Sequence, residues 1–353
     1  MKKPNLVRLA RPRQQGFSLV ELMVAMTIGF IVVAAVGYVY LSSRQSFRLT
    51  DSMSRMQENG RLAIETLARD VRMAGYVGCG NLQNATVRTI AKPPVPLISP
   101  ATAITGEDSG AAIANYAGTT ITRPAGDTIS VMGAFGGGVN LVGNLDPSNA
   151  NIQINGNPYN FKVGDVLMVT DCTEADIFNP TSVSSGGGVT IAHGSSTNCT
   201  RDPTTGVCLP SPPANRTGTY GPDGLVLKME RFTYFIGTNP AGKRALYRTN
   251  LANGVPEDTG ELVEDVEDMQ IEYGQDTNGD GAADAYNDAT TVAANWAQVV
   301  SARISLLLVS PENNIVPSEQ TYNFDGAAVT AATGDRRLFQ VLTTTIAVRN
   351  RAP

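Results

Sequence analysis

The feature that most constrains this chain is an unbroken apolar segment near its N-terminus. Residues 17–41 contain one charged side chain, Glu21, in 25 positions. As a helix this segment measures about 37 Å, which exceeds the roughly 30 Å hydrocarbon core of a bilayer. The residues before it include five bases and no acid: Lys2, Lys3, Arg8, Arg11 and Arg13. The pattern predicts one membrane-spanning helix with a cytoplasmic leader and the rest of the chain outside.

Glu21 is a charged residue that lies about one turn inside the apolar segment. A charged group within a membrane helix costs about 2 to 4 kcal/mol, so it normally has a partner. If the chain is cut after Gly16, the new amine of Phe17 lies four residues from Glu21 on the same helix face. The two charges can then neutralise each other within one chain or between neighbours. A plain signal anchor with an incidental Glu is the alternative, and it explains neither Gly16 nor Glu21.

Residues 16–26 read Gly-Phe-Ser-Leu-Val-Glu-Leu-Met-Val-Ala-Met and resemble the prepilin signature. The resemblance implies a leader of residues 1–16, a membrane peptidase that cuts after Gly16, and methylation of Phe17. It also implies that Glu21 registers each incoming subunit against its neighbour's amine. Many major pilins carry a Pro midway along this segment, whereas here Gly29 and Gly37 are the only weak points.

Beyond the membrane segment, 17–41, spacings of three and four predict an amphipathic continuation over 42–75 that Gly75 ends. Its apolar stripe comprises Met53, Met56, Gly60, Ile64, Leu67, Val71 and Ala74. Residues 76–222 are rich in Gly, Pro, Ser, Thr and Asn and predict a loop-rich β region that closes on a Pro-rich linker at 210–222.

The last third, 223–353, predicts an antiparallel β-sheet region. Strands are expected at 225–236, 245–249, 269–274, 296–309 and 337–349. The predicted fold is α+β and type IV pilin-like: a long N-terminal helix, transmembrane and then amphipathic, packs on an antiparallel β-sheet in a β-rich globular head.

Further phrases, at 70–76, 78–79, 171–173, 262–284 and 343–351, resemble the PilW family of minor pilins. The resemblance implies a low-abundance subunit that helps to prime type IV pilus assembly and sits at or near the pilus tip. Its implied partners are other minor pilins, the major pilin, a tip adhesin, the prepilin peptidase and the inner-membrane assembly platform. The implied location is the inner membrane with a periplasmic head, and after assembly the extracellular pilus tip.

Two other functions remain open at this point. A minor pseudopilin of a type II secretion system shares the leader, the helix and the sheet. A membrane-anchored periplasmic binding protein or hydrolase that never polymerises belongs to a different class.

The chain has four cysteines, all beyond the apolar segment: Cys79, Cys172, Cys199 and Cys208. An even number outside the cytoplasm predicts two disulfides, and no C-x-x-C pair argues for zinc. Of the three connectivities we expect Cys79–Cys172 and Cys199–Cys208, because the short pair encloses a polar loop with little core to order it. Four buried thiols are the alternative.

Charge and composition argue against nucleic-acid binding and catalysis. The chain has 27 bases and 32 acids, and removing the five leader bases leaves 22 against 32, or −10 beyond the leader. Such a surface disfavours nucleic acid. The one histidine, His193, lies in a polar stretch and is expected to be a solvated loop side chain. The sequence has no phosphate-binding loop and no nucleophile elbow, so no enzymatic activity is expected.

One segment has the spacing of a calcium loop. Asp276, Asn278, Asp280 and Asp284 occupy positions 1, 3, 5 and 9, Gly281 is sixth, and the carbonyl of Ala282 is seventh. Asn287 replaces the usual Glu at position 12. The pattern favours Ca²⁺ as a ligand and predicts no organic cofactor, and the alternative is a solvated hairpin turn.

Overall fold

The computed structural model describes residues 16–78, 80–82, 85–110, 112–124, 126–143, 145, 150–186, 188–210 and 217–351. The chain divides into two compact units, one ending at Asp51 and the other beginning at Ser52.

The N-terminal helix, α1, comprises Leu19–Arg72 and has 54 residues. Its sequence contains no proline, and Glu21 in the first turn and Arg69 and Arg72 in the last turn suit the helix dipole. Gly75 follows with a φ of +75°, a left-handed conformation that favours glycine and ends helices. The predicted long helix is confirmed apart from small differences at its ends.

From Ser52 onward, α1 buries one face. The buried residues are Ser52, Met56, Gly60, Ala63, Leu67, Ala68, Asp70 and Val71. The prediction for Met53 is wrong, because this side chain is 43% exposed. The buried face continues from Met56 toward the N-terminus by a step of four residues to Ser52, whereas the predicted stripe took a step of three.

The strands of the head follow α1. In chain order they are β1 (Tyr76–Val77), β2 (Gly80–Asn81), β3 (Thr86–Thr89), β4 (Ile104–Glu107), β5 (Thr128–Ala134), β6 (Val139–Asn140), β7 (Asn151–Ile154), β8 (Val166–Thr170), β9 (Glu174–Phe178), β10 (Ser182–Val183), β11 (Val189–Ala192), β12 (Leu225–Thr238), β13 (Arg244–Asn250), β14 (Glu257–Glu264), β15 (Val266–Gln275), β16 (Ala285–Asn287), β17 (Val299–Val309), β18 (Thr321–Phe324), β19 (Ala327–Thr330) and β20 (Phe339–Ala347). A short helix, α2 (Ala289–Val292), and 3₁₀ turns at Tyr116–Gly118, Trp296–Gln298 and Arg349–Arg351 complete the described elements.

The larger sheet has nine strands. Its main path is β14-β13-β12-β8-β9-β3, with β4, β5 and β6 attached beside it. The 14-residue β12 pairs with β13, β5, β6 and β8, so this sheet joins strands from both sides of residue 222. Its pairs are antiparallel except β3 with β9.

A second sheet has four strands in the order β16-β15-β17-β20, all antiparallel. Small sheets β1-β2, β10-β11-β7 and β18-β19 lie outside these two. The five strands expected in the last third are present, although 296–298 form a 3₁₀ turn rather than the start of β17. The predicted α+β, pilin-like fold is confirmed.

The main core joins α1 to both large sheets. Met56, Ala63 and Leu67 belong to one cluster with apolar side chains of β12, β15 and β17. Each fully buried large side chain contributes about 1.5 to 3 kcal/mol. At Gly60 the sheet comes very close to the helix: a Cβ there would lie 2.6 Å from a methyl carbon of Leu308 and nearer still to Leu342.

A buried carboxylate also ties α1 to the larger sheet. Asp70 is 2% exposed and accepts a hydrogen bond from the Tyr234 hydroxyl of β12. Arg248 of β13 donates to the same carboxylate at 3.3 Å, and Arg69 donates at 3.1 Å. The buried negative charge is therefore paired and hydrogen-bonded, as burial of a charge requires.

We expect Asp70→Ala to destabilise the head by about 3 kcal/mol, because it leaves the Tyr234 hydroxyl and the Arg248 guanidinium without their buried acceptor. Thermal melting of the full chain in detergent measures the change. Glu65→Ala, on the exposed face of α1, is the control and should change stability by less than about 0.5 kcal/mol. Equal melting temperatures for the two variants would contradict a stabilising role for Asp70.

Candidate assembly segment

The first part of α1 exposes apolar side chains on all sides. Among the described residues, α1 alone is long and apolar enough to cross a membrane, judged by length and composition. Exposed large side chains include Phe17, Leu19, Val20, Leu22, Met23, Ile28, Phe30, Ile31, Val33, Val36, Tyr38 and Leu41. The Thr27 hydroxyl donates to the Val24 carbonyl at 2.9 Å, so this polar group is satisfied within the helix. Such a surface suits lipid or the apolar faces of neighbouring helices.

The predicted cleavage site lies just before this helix. Gly16, Phe17 and Ser18 are not helical, and the Leu22 amide donates to the Ser18 carbonyl at 3.0 Å. Ser18 is therefore the residue that caps the helix, with Glu21 three positions later in the first turn. This Ser-x-x-Glu spacing is that of a capping box, and a carboxylate here also suits the helix dipole. The sequence analysis did not note this Ser-x-x-Glu spacing, which is readable from residues 18–21. Cleavage after Gly16, methylation of Phe17 and registration by Glu21 stay predictions.

The predicted short disulfide is present. Cys199 and Cys208 are bonded, with Cα atoms 5.6 Å apart. Arg201, inside this loop, donates to the carbonyls of Ala91 and Val95 and so holds the loop against the preceding segment. Cys172 is also disulfide-bonded, and its predicted partner, Cys79, lies outside the described residues.

Comparison with known proteins gives two family matches. The family described as Type IV Pilus-assembly protein W matches residues 233–350, which extend from within β12 to just beyond β20. The prokaryotic N-terminal methylation motif matches residues 11–37, which include Gly16, Phe17 and Glu21. The chain is pilin-like at its N-terminus and similar to the PilW family in its last third. The resemblance seen in the sequence is thereby confirmed at both ends of the chain.

One curated relative is the Pilin-like protein PilA3 of Thermus thermophilus. It is 39% identical over 75 residues, which are 20% of this chain and 32% of the relative. The match thus covers about a third of that relative's length. No solved structure matches the chain.

The PilW match indicates a pilus assembly protein whose role is structural rather than catalytic. The methylation motif and the apolar part of α1 are consistent with a membrane-anchored pilin that has a periplasmic head.

The prediction for His193 is wrong. Its side chain is fully buried, with its ring 5.2 Å from that of Phe178, rather than solvated. The residue directly follows β11, and its amide donates to the Ala150 carbonyl at 2.9 Å. Strand pairing therefore carries it into the core, which the polar sequence around it does not indicate.

The acid-rich loop 276–284 joins β15 to β16 and closes on itself through its own side chains. Asp276 accepts hydrogen bonds from the amides of Gly279 at 2.6 Å and Gly281 at 2.8 Å. Asp284 accepts from the Thr277 amide and hydroxyl at 2.7 and 2.6 Å. The Gly281 amide lowers the pKa of Asp276, and the Thr277 hydroxyl lowers that of Asp284.

The Asp276 and Asp284 carboxylates of this loop are hydrogen-bonded to the loop itself rather than gathered around one point. Among the described residues no three acidic, His or Cys side chains gather closely enough to hold a metal. Asn287, at the twelfth position, donates instead to the Gln275 side chain at 2.7 Å. Asp276, Asp280 and Asp284 would have to move together around a cation, so calcium binding stays a prediction, with the low affinity of an open loop.

We expect calcium to raise the melting temperature of the full chain only at about millimolar concentration, since it has to reorganise the loop. Magnesium should have a smaller effect because it demands stricter octahedral geometry. The increment should disappear in Asp280→Ala and persist in Asp325→Ala, which changes an exposed acid of another turn. If calcium leaves the wild-type melt unchanged, the loop is a polar hairpin turn.

Another acidic residue, Asp127, is buried and forms no ion pair with any of the residues that the structure describes. It is 5% exposed and accepts hydrogen bonds from the amides of Ser109 at 2.6 Å and Ile271 at 2.7 Å. Burial raises its pKa to about 6 despite these two hydrogen bonds, with the nearby charges of Asp108 and Asp268 adding to the rise. Because the pKa is raised on folding, the folded state binds this proton more tightly than the unfolded chain does.

The stability that protonated Asp127 contributes is full below about pH 4 and is lost as the pH rises through about 6. We therefore expect wild type to lose roughly 2 kcal/mol relative to Asp127→Asn between pH 4 and pH 7. Thermal melts of both proteins in detergent across this range measure the difference. Parallel pH profiles would show that Asp127 does not titrate in this range.

Proposed function

We propose that this chain is a minor pilin that helps to prime type IV pilus assembly and sits at or near the pilus tip. The main support is the match of residues 11–37 to a prepilin-type methylation motif, at the start of a helix that exposes apolar side chains on all sides. The last third of the same chain matches the PilW family. An all-round apolar helix is stable in lipid before assembly and among similar helices afterwards.

In this proposal, the helices hold the subunits together and the head determines the subunit's position. The prepilin peptidase and inner-membrane assembly platform act on the N-terminal segment. Other minor pilins, the major pilin and a tip adhesin contact the head. The negative charge of the chain beyond the leader supports protein partners rather than nucleic acid.

A minor pseudopilin of a type II secretion system is the second candidate, and the PilW match over 233–350 favours the pilus. The third candidate, an anchored hydrolase or binding protein, gains no support from His193. This residue is the base that a Ser-His-Asp site would use, and it is buried against Phe178.

Deleting the gene and counting surface pili, with retraction active and with retraction disabled, tests the proposal. A priming subunit matters most when retraction competes with assembly. We expect few pili in the first case and substantial recovery in the second. Unchanged pilus numbers in both cases would contradict a priming role, and a loss of protein secretion would favour the pseudopilin.

Cleavage after Gly16 predicts a mature chain that begins at Phe17. Gly16→Asp should leave a membrane-bound precursor that keeps its leader, because the peptidase no longer accepts the site. Glu21→Val should be cut but assemble poorly, whereas Glu58→Val, in the exposed part of α1 outside the apolar segment, should assemble normally. Intact mass of the extracted protein and its amount in sheared pili measure the two steps. An uncut wild-type chain would rule out the pilin proposal.

A further inference from the structure

Strand β20 forms one edge of the four-stranded sheet. It pairs with β17 from Val309 opposite Phe339 to Ser301 opposite Ala347. The Ser310 amide donates to Leu338 and the Val348 amide donates to Val300, so the even-numbered residues of this strand bond to β17. The backbone groups of its odd-numbered residues therefore point away from the sheet.

At the first outward position, Phe339, a side chain already forms hydrogen bonds with the edge. The Gln320 side chain accepts from the Phe339 amide at 2.9 Å and donates to the Phe339 carbonyl at 2.8 Å. The amides and carbonyls at the next outward positions have no hydrogen-bond partner among the described residues: Val341, Thr343, Thr345 and Ala347. The outward edge of β20, residues 341–347, thus presents a regular row of free donors and acceptors.

Two other strand edges of the large sheets, those of β14 and β15, are protected. The edge strand β14 carries Glu257, Asp258, Glu261 and Glu264 and has two register shifts against β13. The far edge of β15 is covered in part by β16 and in part by Asp127, which accepts from the Ile271 amide. By contrast, the nine residues of β20 include no charge and no proline, and their pairing has no register shift. Charges and bulges are the usual protection of a sheet edge against another strand, and β20 lacks both.

We propose that the outward edge of β20 accepts an extended strand of another pilin-like subunit. The inference deepens the proposed function and rests on it, because packing of the apolar helices is what brings heads side by side. A row of alternating backbone donors and acceptors is matched by an extended polypeptide. Thr343 and Thr345 are exposed beside the edge and uncharged, so they suit a partner strand with uncharged Thr, Ser or β-branched residues.

The edge also lies next to the helix of the head unit. Leu342 and Ile346 of β20 pack in the same cluster as Met56 and Leu67 of α1. A strand added to β20 would therefore extend the sheet that covers α1, and it would join the two heads near their helices.

A different subunit fits this edge better than a second copy. Antiparallel pairing of two β20 edges needs a two-fold axis normal to the sheet. Rotation about that axis reverses every element that runs along the sheet. The α1 segments packed on the two sheets would therefore be antiparallel to each other. Subunits with the same basic leader all enter the membrane with their N-termini on the cytoplasmic side, which favours parallel helices.

The test places a photo-cross-linking amino acid at position 345 of the full-length protein in its native cells. Position 330, an exposed Thr of β19, is the matched control. We expect at least ten times more cross-linked product from 345 than from 330. Mass spectrometry should identify the product as another subunit with a methylated N-terminus, joined through an extended segment. A product that contains a second copy of this chain, or equal yields at the two positions, would overturn the proposal.

Two edge variants complete the test. Thr343→Pro removes an outward amide and leaves the hydrogen bonds to β17 intact, and Ala347→Lys adds a charge beside the edge. Each should lower the yield of the product from 345 at least tenfold, whereas Thr343→Val, which keeps the amide, should not. A chain that is cut at Gly16 and enters pili but gives no product contradicts only the edge proposal. A chain that is never cut contradicts the proposed function itself.

Discussion

The structure depends on one helix that has to satisfy two environments. Over residues 17–41 the side chains of α1 are apolar on every face, which suits an environment that is apolar all round. From Ser52 onward one face is buried against β-sheets and the other carries charges such as Glu58, Arg61 and Glu65. The change from all-round to one-sided apolarity makes the first part an anchor and the second part the foundation of a folded head.

The spacing of apolar residues predicted the elements whose pattern is contained in a short stretch of sequence. The helix, its end at Gly75 and the five late strands were accessible because each depends on spacing within a short window. The pairing of β12 with β5, β6 and β8, and the parallel pair of β3 with β9, depend on contacts far apart in the sequence, which no local pattern encodes. Tyr220 shows the same limit: it lies in the predicted linker 210–222, yet it is buried and hydrogen-bonded to Asp176.

The residues that the sequence singled out, and those it did not, differ in the same way. Gly16, Phe17 and Glu21 stand out because a polar group beside an apolar run is unusual in any sequence. Asp70 was missed because an acid near a helix end normally points to solvent, and only the fold shows that Tyr234 and Arg248 surround it. Calcium binding by the acid-rich loop stays a prediction, since ligand spacing along the chain does not by itself ensure that the carboxylates meet in space.

Three buried acids show how differently one head can accommodate negative charge. Asp70 has Tyr234 and Arg248, and Asp176 has Arg88 and Tyr220, so both are held by a cation and a hydroxyl. Asp127 has backbone amides, with no ion pair among the described residues. The first two charges are ion-paired, whereas the raised pKa of the third makes the packing around β15 sensitive to the acidity of the compartment.

The packing around Gly60 limits which side chains α1 can carry at this position. The hydrogen atom in place of a side chain lets Leu308 and Leu342 close over the backbone of α1, so the spacing between helix and sheet is set by the smallest residue available. Any larger residue would have to push both leucines aside and would act as a wedge at the middle of the buried face. The close approach of the four-stranded sheet to α1 at this point therefore depends on the absence of a side chain at position 60.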